Sequence, residues 1–444
     1  MPTTEPLAPV MPPGVAAVLA EHARFLKGRG AAAPPWLQEL RARAVDRFTA
    51  LGYPTVRQEE WRFTSVAPIA ETAFRLAESG PTNARELVER VAIPGAVRIV
   101  LLNGRFSPEL SRLEPPSGVV VGSLARAVAD ARPECAHLGQ ASVDAPFVAL
   151  NTAFVEDGAL VTVRKNALVE PPIHVIFVNG DAEALMIHPR ALIALGANSQ
   201  ASLAQTFVGG AGRAHFTNSV TEVALGENAV LDYVHDQRET DEAFHMASLH
   251  VAADRSATFR ARTVTLGGRL VRNDFMAVLG GEGAHCTLDG CYLVDGARLV
   301  DNHTTIDHAV PNCTSHELYK GILDGRAKAV FNGRIIVRED AQKTDAKQTN
   351  RALLLSDEAT INSNPQLEIF ADDVKCTHGA AIGQLDEEAL FYLRARGLTE
   401  KDARDMLIHA YAGEILEGIP IEALRGQLER ELFVQLDRDL ADHR

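Results

Sequence analysis

Cys376 and His378 stand two residues apart in the run Asp372-Asp-Val-Lys-Cys-Thr-His-Gly-Ala-Ala-Ile-Gly383. The run reads as a strand ending in a glycine turn, and alternate strand residues project from one face. The thiol and the imidazole then point together, as soft and borderline donors suited to iron or zinc. A thiolate ligand must lose its proton, which a metal ion or a nearby cation can drive. Lys375 is a poor source of that charge, because it falls on the other strand face. The competing reading makes Cys376 a filler of the core, where free cysteines are commonly buried.

Two further groups hold residues of the right chemical types. Asp301, His303, Asp307, His308, Cys313 and His316 include good ligands, but their spacing matches no defined zinc pattern. They read as a turn of surface and packing groups. Cys286 and Cys291 are five apart, which puts them on opposite faces of a regular strand, as core cysteines. No phosphate-binding Gly-x-x-x-x-Gly-Lys-Ser/Thr loop, dinucleotide fingerprint, Gly-x-Ser-x-Gly elbow or His-Glu-x-x-His pair occurs. Any use of ATP must therefore come from a partner.

The stretch from Asp307 onward carries an ordered set of features: His308 with Pro311, a Tyr319-Lys-Gly321 turn, Val330-Phe331 with Gly333, and Ala341-Gln-Lys-Thr344. Asn350, Leu353-Leu-Leu-Ser356, Pro365 and Val374-Lys-Cys-Thr-His-Gly379 complete it. In these residues the chain resembles the SufB/SufD family of iron–sulfur cluster assembly scaffolds. The resemblance continues through Leu385–Gly397 to the C-terminus, is looser over residues 150–306, and touches the N-terminus at Glu59-Glu60-Trp61. The stretch Gln58-Glu-Glu-Trp-Arg-Phe-Thr64, the shorter chain and the lack of a Cys-x-x-Cys pair place it on the SufD-like side of the family.

The resemblance implies a non-catalytic scaffold that works with a SufB-like paralogue and a SufC-like ATPase. It implies that Cys376 and His378 face the paralogue and serve cluster assembly or iron entry. An iron–sulfur cluster or iron would then be held transiently in the complex, with none bound tightly by the isolated chain. The ATPase is expected on the C-terminal helices, with Tyr392, Arg394 and Arg396 as anchors, since aromatic and arginine residues dominate binding hot spots. The isolated chain is expected to form a homodimer through unpaired sheet edges.

Composition narrows the function classes. Charged residues are 23% and apolar residues 46%, ordinary for a globular protein, and the formal net charge is −14 with no basic run. That balance argues against nucleic acid and anionic membrane as partners. Five cysteines, few and odd in number, do not make a secreted disulfide framework. The first residues lack a basic stretch followed by an apolar core, and no run approaches 18 apolar residues. A cytoplasmic location is the expectation.

The elements that must position these residues follow from periodicity. Residues 1–95 read as a helical domain, with a short helix near Val15–Leu26 and another carrying Trp36, Leu37, Leu40, Ala44, Phe48 and Leu51 at helical spacing. Residues 96–385 read as strands. A turn of small or charged residues returns there at Leu195-Gly-Ala-Asn, Leu225-Gly-Glu-Asn, Ala252-Ala-Asp-Arg, Leu266-Gly-Gly-Arg, Leu279-Gly-Gly-Glu and Leu293-Val-Asp-Gly. The period is near 28 residues with a half-period near 14, and this predicts coils of two main strands stacked into a parallel β-helix. The crossover should be right-handed. About eight coils are expected, in preference to a β-sandwich with hairpin turns. Residues 386–444 read as a helical domain, with Thr399 and Asp402 as a capping box. The fold class is thus a mainly β, right-handed parallel β-solenoid flanked by helical domains. A β-helix polysaccharide lyase or hydrolase is the alternative from another class, with Asp372 and Asp373 as its acids. Those two would point to opposite faces of a strand, which disfavours it.

Overall fold

The computed structural model describes residues 14–78, 80–180, 184–210 and 214–442, with side chains described to residue 436. Two parallel sheets lie face to face and the chain alternates between them, strand by strand. One sheet runs through Phe216–Leu225, Phe244–Ala253, Leu270–Leu279, Leu299–His308, Lys328–Val337 and Thr360–Ile369. The other runs through Val230–Arg238, Thr258–Thr265, His285–Val294, Thr314–Leu323, Asp345–Leu354 and Lys375–Gly383. In register, Phe216 pairs with Phe244, Phe244 with Leu270, Leu270 with Leu299 and Leu299 with Lys328. One coil therefore advances by 26 to 29 residues along these strands. The expected period holds, and the solenoid makes about seven turns.

The recurring turns stack as a column of left-handed residues. Asn166, Asn198, Asn228, Ser256, Gly283, Asn312 and Lys343 all have φ between 55° and 75°. Each donates its backbone N–H to a carbonyl of the following coil, for example Asn198 to Glu227 and Asn312 to Gln342, both near 2.8–2.9 Å. Asparagine tolerates this conformation better than other side chains, which explains its return in the turn sequence. Its amide adds a ladder: Asn228 Nδ2 donates to Asn198 Oδ1 at 2.9 Å, and Asn198 Nδ2 to Asn166 Oδ1 at 3.0 Å.

The lumen is filled by inward residues of both sheets, among them Leu231, Tyr233, Phe259, Phe275, Cys286, Leu288, Tyr319 and Phe331. The outward side of the second sheet is not bare. The C-terminal helices are α7 (Glu387–Ala395), α8 (Glu400–Leu416) and α9 (Glu422–Asp442). Val234, Val264, Cys291, Ile322 and Leu353 meet Ile408, Ala412 and Ile415 of α8 and Leu424, Leu428, Leu432 and Leu436 of α9. The four leucines of α9 recur at spacing four, and burying each contributes roughly 1.5–3 kcal/mol. The Thr399 side chain accepts the Asp402 N–H as expected, and Asp386 caps α7 in the same manner. Among the described residues no helix is long and apolar enough to cross a membrane.

The head holds α1 (Val15–Lys27), α2 (Pro35–Leu51), α3 (Ala67–Glu71) and α4 (Ala84–Val91). The helices α5 (Leu124–Ala129) and α6 (Pro146–Ala153) interrupt the first strands. In α2, Leu37, Leu40, Ala44 and Phe48 are buried. Trp36, expected on the same stripe, is 42% exposed, because successive helix residues lie about 100° apart and its neighbour Leu37 takes the packed face. Trp61 is buried in the three-residue turn Glu59–Trp61 and packs against Phe147 of α6, and Phe74 packs against Phe216 and Phe244 of the first sheet, so the head meets the solenoid through aromatic contacts.

Candidate functional site

The two strands at the C-terminal end of the solenoid are each paired on one edge only. Thr360–Ile369 pairs with Lys328–Val337, and Lys375–Gly383 pairs with Asp345–Leu354. Both leave a long row of backbone donors and acceptors without a strand partner. Around them Ile369, Phe370 and Ile382 are exposed, Phe370 to 64%.

Cys376 and His378 lie on the second of these strands. Their register partners are Ala346 and Gln348, which are buried and face the lumen, so the thiol and imidazole share the inward face at its open end. Cys376 is a free, half-buried thiol at the margin of the cluster of Ile335, Val337, Ala341, Ala346 and Ala371. Burial pushes its pKa up, the Asp345 carboxylate adds to this, and the Ala346 amide opposes it. His378 is exposed. The strand runs on through Gly379 to Gly383, so no glycine turn follows the pair. Among the described residues no group of three or more His, Cys, Asp or Glu side chains is gathered to hold a metal. Cys376 and His378 can supply two ligands, and an iron–sulfur cluster commonly takes four.

The second group of suitable ligand types is dispersed. Asp301 is fully buried and accepts from Arg272 Nη1 at 2.7 Å and Thr64 Oγ1 at 2.6 Å, with His303 Nε2 at 3.0 Å. Burial works against its ionisation, yet Arg272, His303 and Thr64 hold its pKa at about 2. Arg272 also donates to Glu60 O at 2.7 Å and stacks 3.6 Å over Trp61. This cluster clamps the head to the solenoid. Asp307 accepts from Arg338 at 2.6 and 2.9 Å, and His308 Nε2 lies 2.9 Å from Ser315 Oγ. Cys313 is buried against Gly281 O.

Cys286 faces the lumen and Cys291 faces α8 and α9, so the two are buried on opposite sides of one strand as expected. Asp372 and Asp373 lie in the bend before the last strand, not on it, and Asp373 pairs with Lys343. Their separation by strand alternation does not apply.

Tyr319-Lys-Gly321 is not a turn either. It is the middle of the strand Thr314–Leu323. A Cβ on Gly321 would stand 2.5 Å from Tyr292 Oη, and one on Gly290 would stand 2.3 Å from the Tyr319 ring. The two tyrosines of neighbouring coils each occupy the space left by the other coil's glycine. Lys320, between them, points outward, donates to Tyr411 O at 2.9 Å, lies 4.5 Å over the Tyr411 ring and pairs with Glu414. It fixes α8 to the sheet. The motif thus serves packing on both faces, which a glycine beside a lysine cannot announce locally.

The helix α7 has no buried residue, and Phe391 is 74% and Tyr392 55% exposed. The Arg396 guanidinium lies 4.5 Å over the Tyr392 ring, and Arg394 pairs with Glu400 at 3.3 Å. All three nominated anchors lie on this short outlying helix or at its end.

Comparison with known proteins bears on all of this chain except its ends. Residues 177–411 match the family described as "SUF system FeS cluster assembly, SufBD core domain", and residues 30–175 match the SufBD protein N-terminal region. An iron-sulfur cluster assembly SufBD family protein of Synechocystis is 36% identical over 403 residues, covering 87% of this chain and 88% of its own length. The iron-sulfur cluster assembly protein SufD of Escherichia coli is 29% identical over 380 residues, covering 85% of this chain and 88% of its own. The chloroplastic protein ABCI7 of Arabidopsis thaliana is 27% identical over 401 residues, covering 88% and 84%.

Proposed function

Because the chain belongs to the SufBD family of the SUF iron–sulfur cluster assembly system, we propose that it is a SufD-like, non-catalytic scaffold subunit. It acts beside a SufB-like paralogue and a SufC-like ATPase. The observation that carries this reading is the bare end of the solenoid, where two ten- and nine-residue strands lack outer partners. A homologous solenoid can continue both sheets there, and homodimerisation of the isolated chain is the same contact made with itself. The contact should bury more than ~1,000 Å².

Cys376 and His378 sit at that junction with two donors between them. Iron or a nascent cluster is the cargo, and the remaining donors come from the paralogue across the seam. The raised thiol pKa suits transient use, since cation binding must displace the proton and release reverses it. The ATPase docks on α7 through Tyr392, Arg394 and Arg396, whose rings and guanidinium groups are exposed and not consumed by the core.

Co-purification tests the assembly. The full chain should pull down the paralogue and ATPase together. A full-length chain carrying Tyr392→Ala, Arg394→Ala and Arg396→Ala, three exposed sites on and after α7, should retain the paralogue and lose the ATPase. Retention of the ATPase by this variant would refute the docking assignment.

A further inference from the structure

Behind His378 the lumen holds a column of polar side chains that packing alone does not require. Along the register of the second sheet, Glu317 is followed by Gln348, and Gln348 by His378. Glu317 and Gln348 are fully buried. Gln348 Nε2 donates to Glu317 Oε2 at 2.8 Å. An ionised Glu317 can only accept, so above its pKa this bond fixes which way the carboxamide faces. Gln348 Oε1 is left buried without a partner. An unpaired buried carbonyl of this kind costs about 1–3 kcal/mol.

Space has been made for this amide. A Cβ on Gly333, across the lumen, would stand 2.0 Å from Gln348 Nε2. The glycine is required by Gln348 and not by its own backbone, which has no positive φ.

We infer that Gln348 is a positioning residue for His378: its Oε1, unpaired in this structure and next in register behind His378, accepts one imidazole N–H when the exposed ring turns inward. This rests on the reading of His378 as a ligand given above. A histidine whose one ring nitrogen keeps its proton against a carbonyl offers the lone pair of the other to a metal. Glu317 acts on the site only through Gln348, by holding the amide in that sense.

The test reads the tautomer of His378 in the full chain. Ring-¹⁵N-labelled histidine at pH 8.5 reports neutral imidazoles, and His378→Gln identifies the resonance by its loss. The wild-type pair of ring shifts should be widely separated, as for a single tautomer. Gln348→Leu should collapse the separation toward that of a free imidazole, and Gln348→Glu, which keeps an acceptor, should restore it. Gly333→Ala should also narrow it by crowding Nε2 while removing no polar group. An averaged wild-type signal, or equal separation in wild type and a folded Gln348→Leu chain, overturns the inference. If the leucine variant does not fold, an unchanged separation in Gly333→Ala overturns it. A collapsed tautomer together with full cluster yield in His378→Ala keeps the positioning role and discards the ligand role. Lost yield with an unchanged tautomer does the reverse.

Discussion

The two ends of the solenoid are finished in different ways. At the N-terminal end each sheet closes on a short antiparallel strand, Val119–Ser123 in one and the two-residue Arg105–Phe106 in the other. Short strands are a standard means of blunting an edge, and the helical head packs beside them. At the C-terminal end the sheets stop on strands of ten and nine residues with apolar side chains at the rim. The polar clusters follow the same division. Asp301 has its charge answered by Arg272 and its Oδ2 held by Arg272 and Thr64, whereas Cys376 and His378 lie at the open end with no third ligand-type side chain gathered beside them among the described residues. Similar residue types thus mean a clamp at one place and, on the proposal above, an offered pair of ligands at the other. Whether the neighbours satisfy them decides which.

The contrast can be broken most severely at the clamp. Arg272→Ala leaves Asp301 buried and uncompensated, and should lower unfolding free energy by about 3–5 kcal/mol in chemical denaturation. An effect below 1 kcal/mol would show that the clamp is dispensable.

A buried carboxyl on the way to the open end gives the next largest effect. Burial raises the Glu317 pKa from 4.5 to about 7, against the hydrogen bonds it accepts. The folded chain therefore holds a proton that the unfolded chain releases. Stability from this group is complete below pH 4.5 and is lost as pH rises through about 7, on the order of 3 kcal/mol by pH 8. Glu317→Gln should flatten that decline in urea midpoints measured from pH 5 to 8. A parallel decline in the variant would remove Glu317 as its source.

At the bare edge, Phe370→Lys with Ile382→Lys should convert the proposed homodimer to monomer in light scattering. Unfolding free energy should change by no more than about 0.5 kcal/mol per exposed site. A dimer that persists with unchanged mass would place the contact elsewhere. The smallest effect on stability belongs to the ligand pair. Cys376→Ala and His378→Ala should each alter folding by less than about 0.5 kcal/mol while reconstituted cluster absorbance falls sharply. A lowered melting temperature for Cys376→Ala with normal absorbance would instead identify Cys376 as packing.

The coil was legible in the sequence because its cause is local. A left-handed residue must recur once per coil, and Asn198 and Asn228 mark it in the recurring turns. The opposite facing of Cys286 and Cys291 was legible for a similar reason, since strand alternation depends on separation alone. The inward pairing of Cys376 with His378 follows from the same rule. What escaped depends on contacts between coils or between head and body. Gly321 reads as a turn residue until Tyr292 of the preceding coil is seen to fill its space. Asp301 reads as a metal ligand type until Thr64, 237 residues away, is seen to donate to it. The Glu317–Gln348 bond spans 31 residues and carries no local mark.

The C-terminal helices have a further consequence for how the body opens. Their apolar seam reaches from Ala204 through Val234, Val264, Cys291 and Ile322 to Leu353, and takes in no residue of the strand Lys375–Gly383. A stack held only by nearest neighbours would unzip from either end, coil after coil. Here the helices act as a splint across the stacked coils, so fraying is confined to the one coil beyond the seam. Amide hydrogen exchange should be fast over residues 360–383 and should slow abruptly at Leu353. The coil that is free to breathe is the one that bears Cys376 and His378.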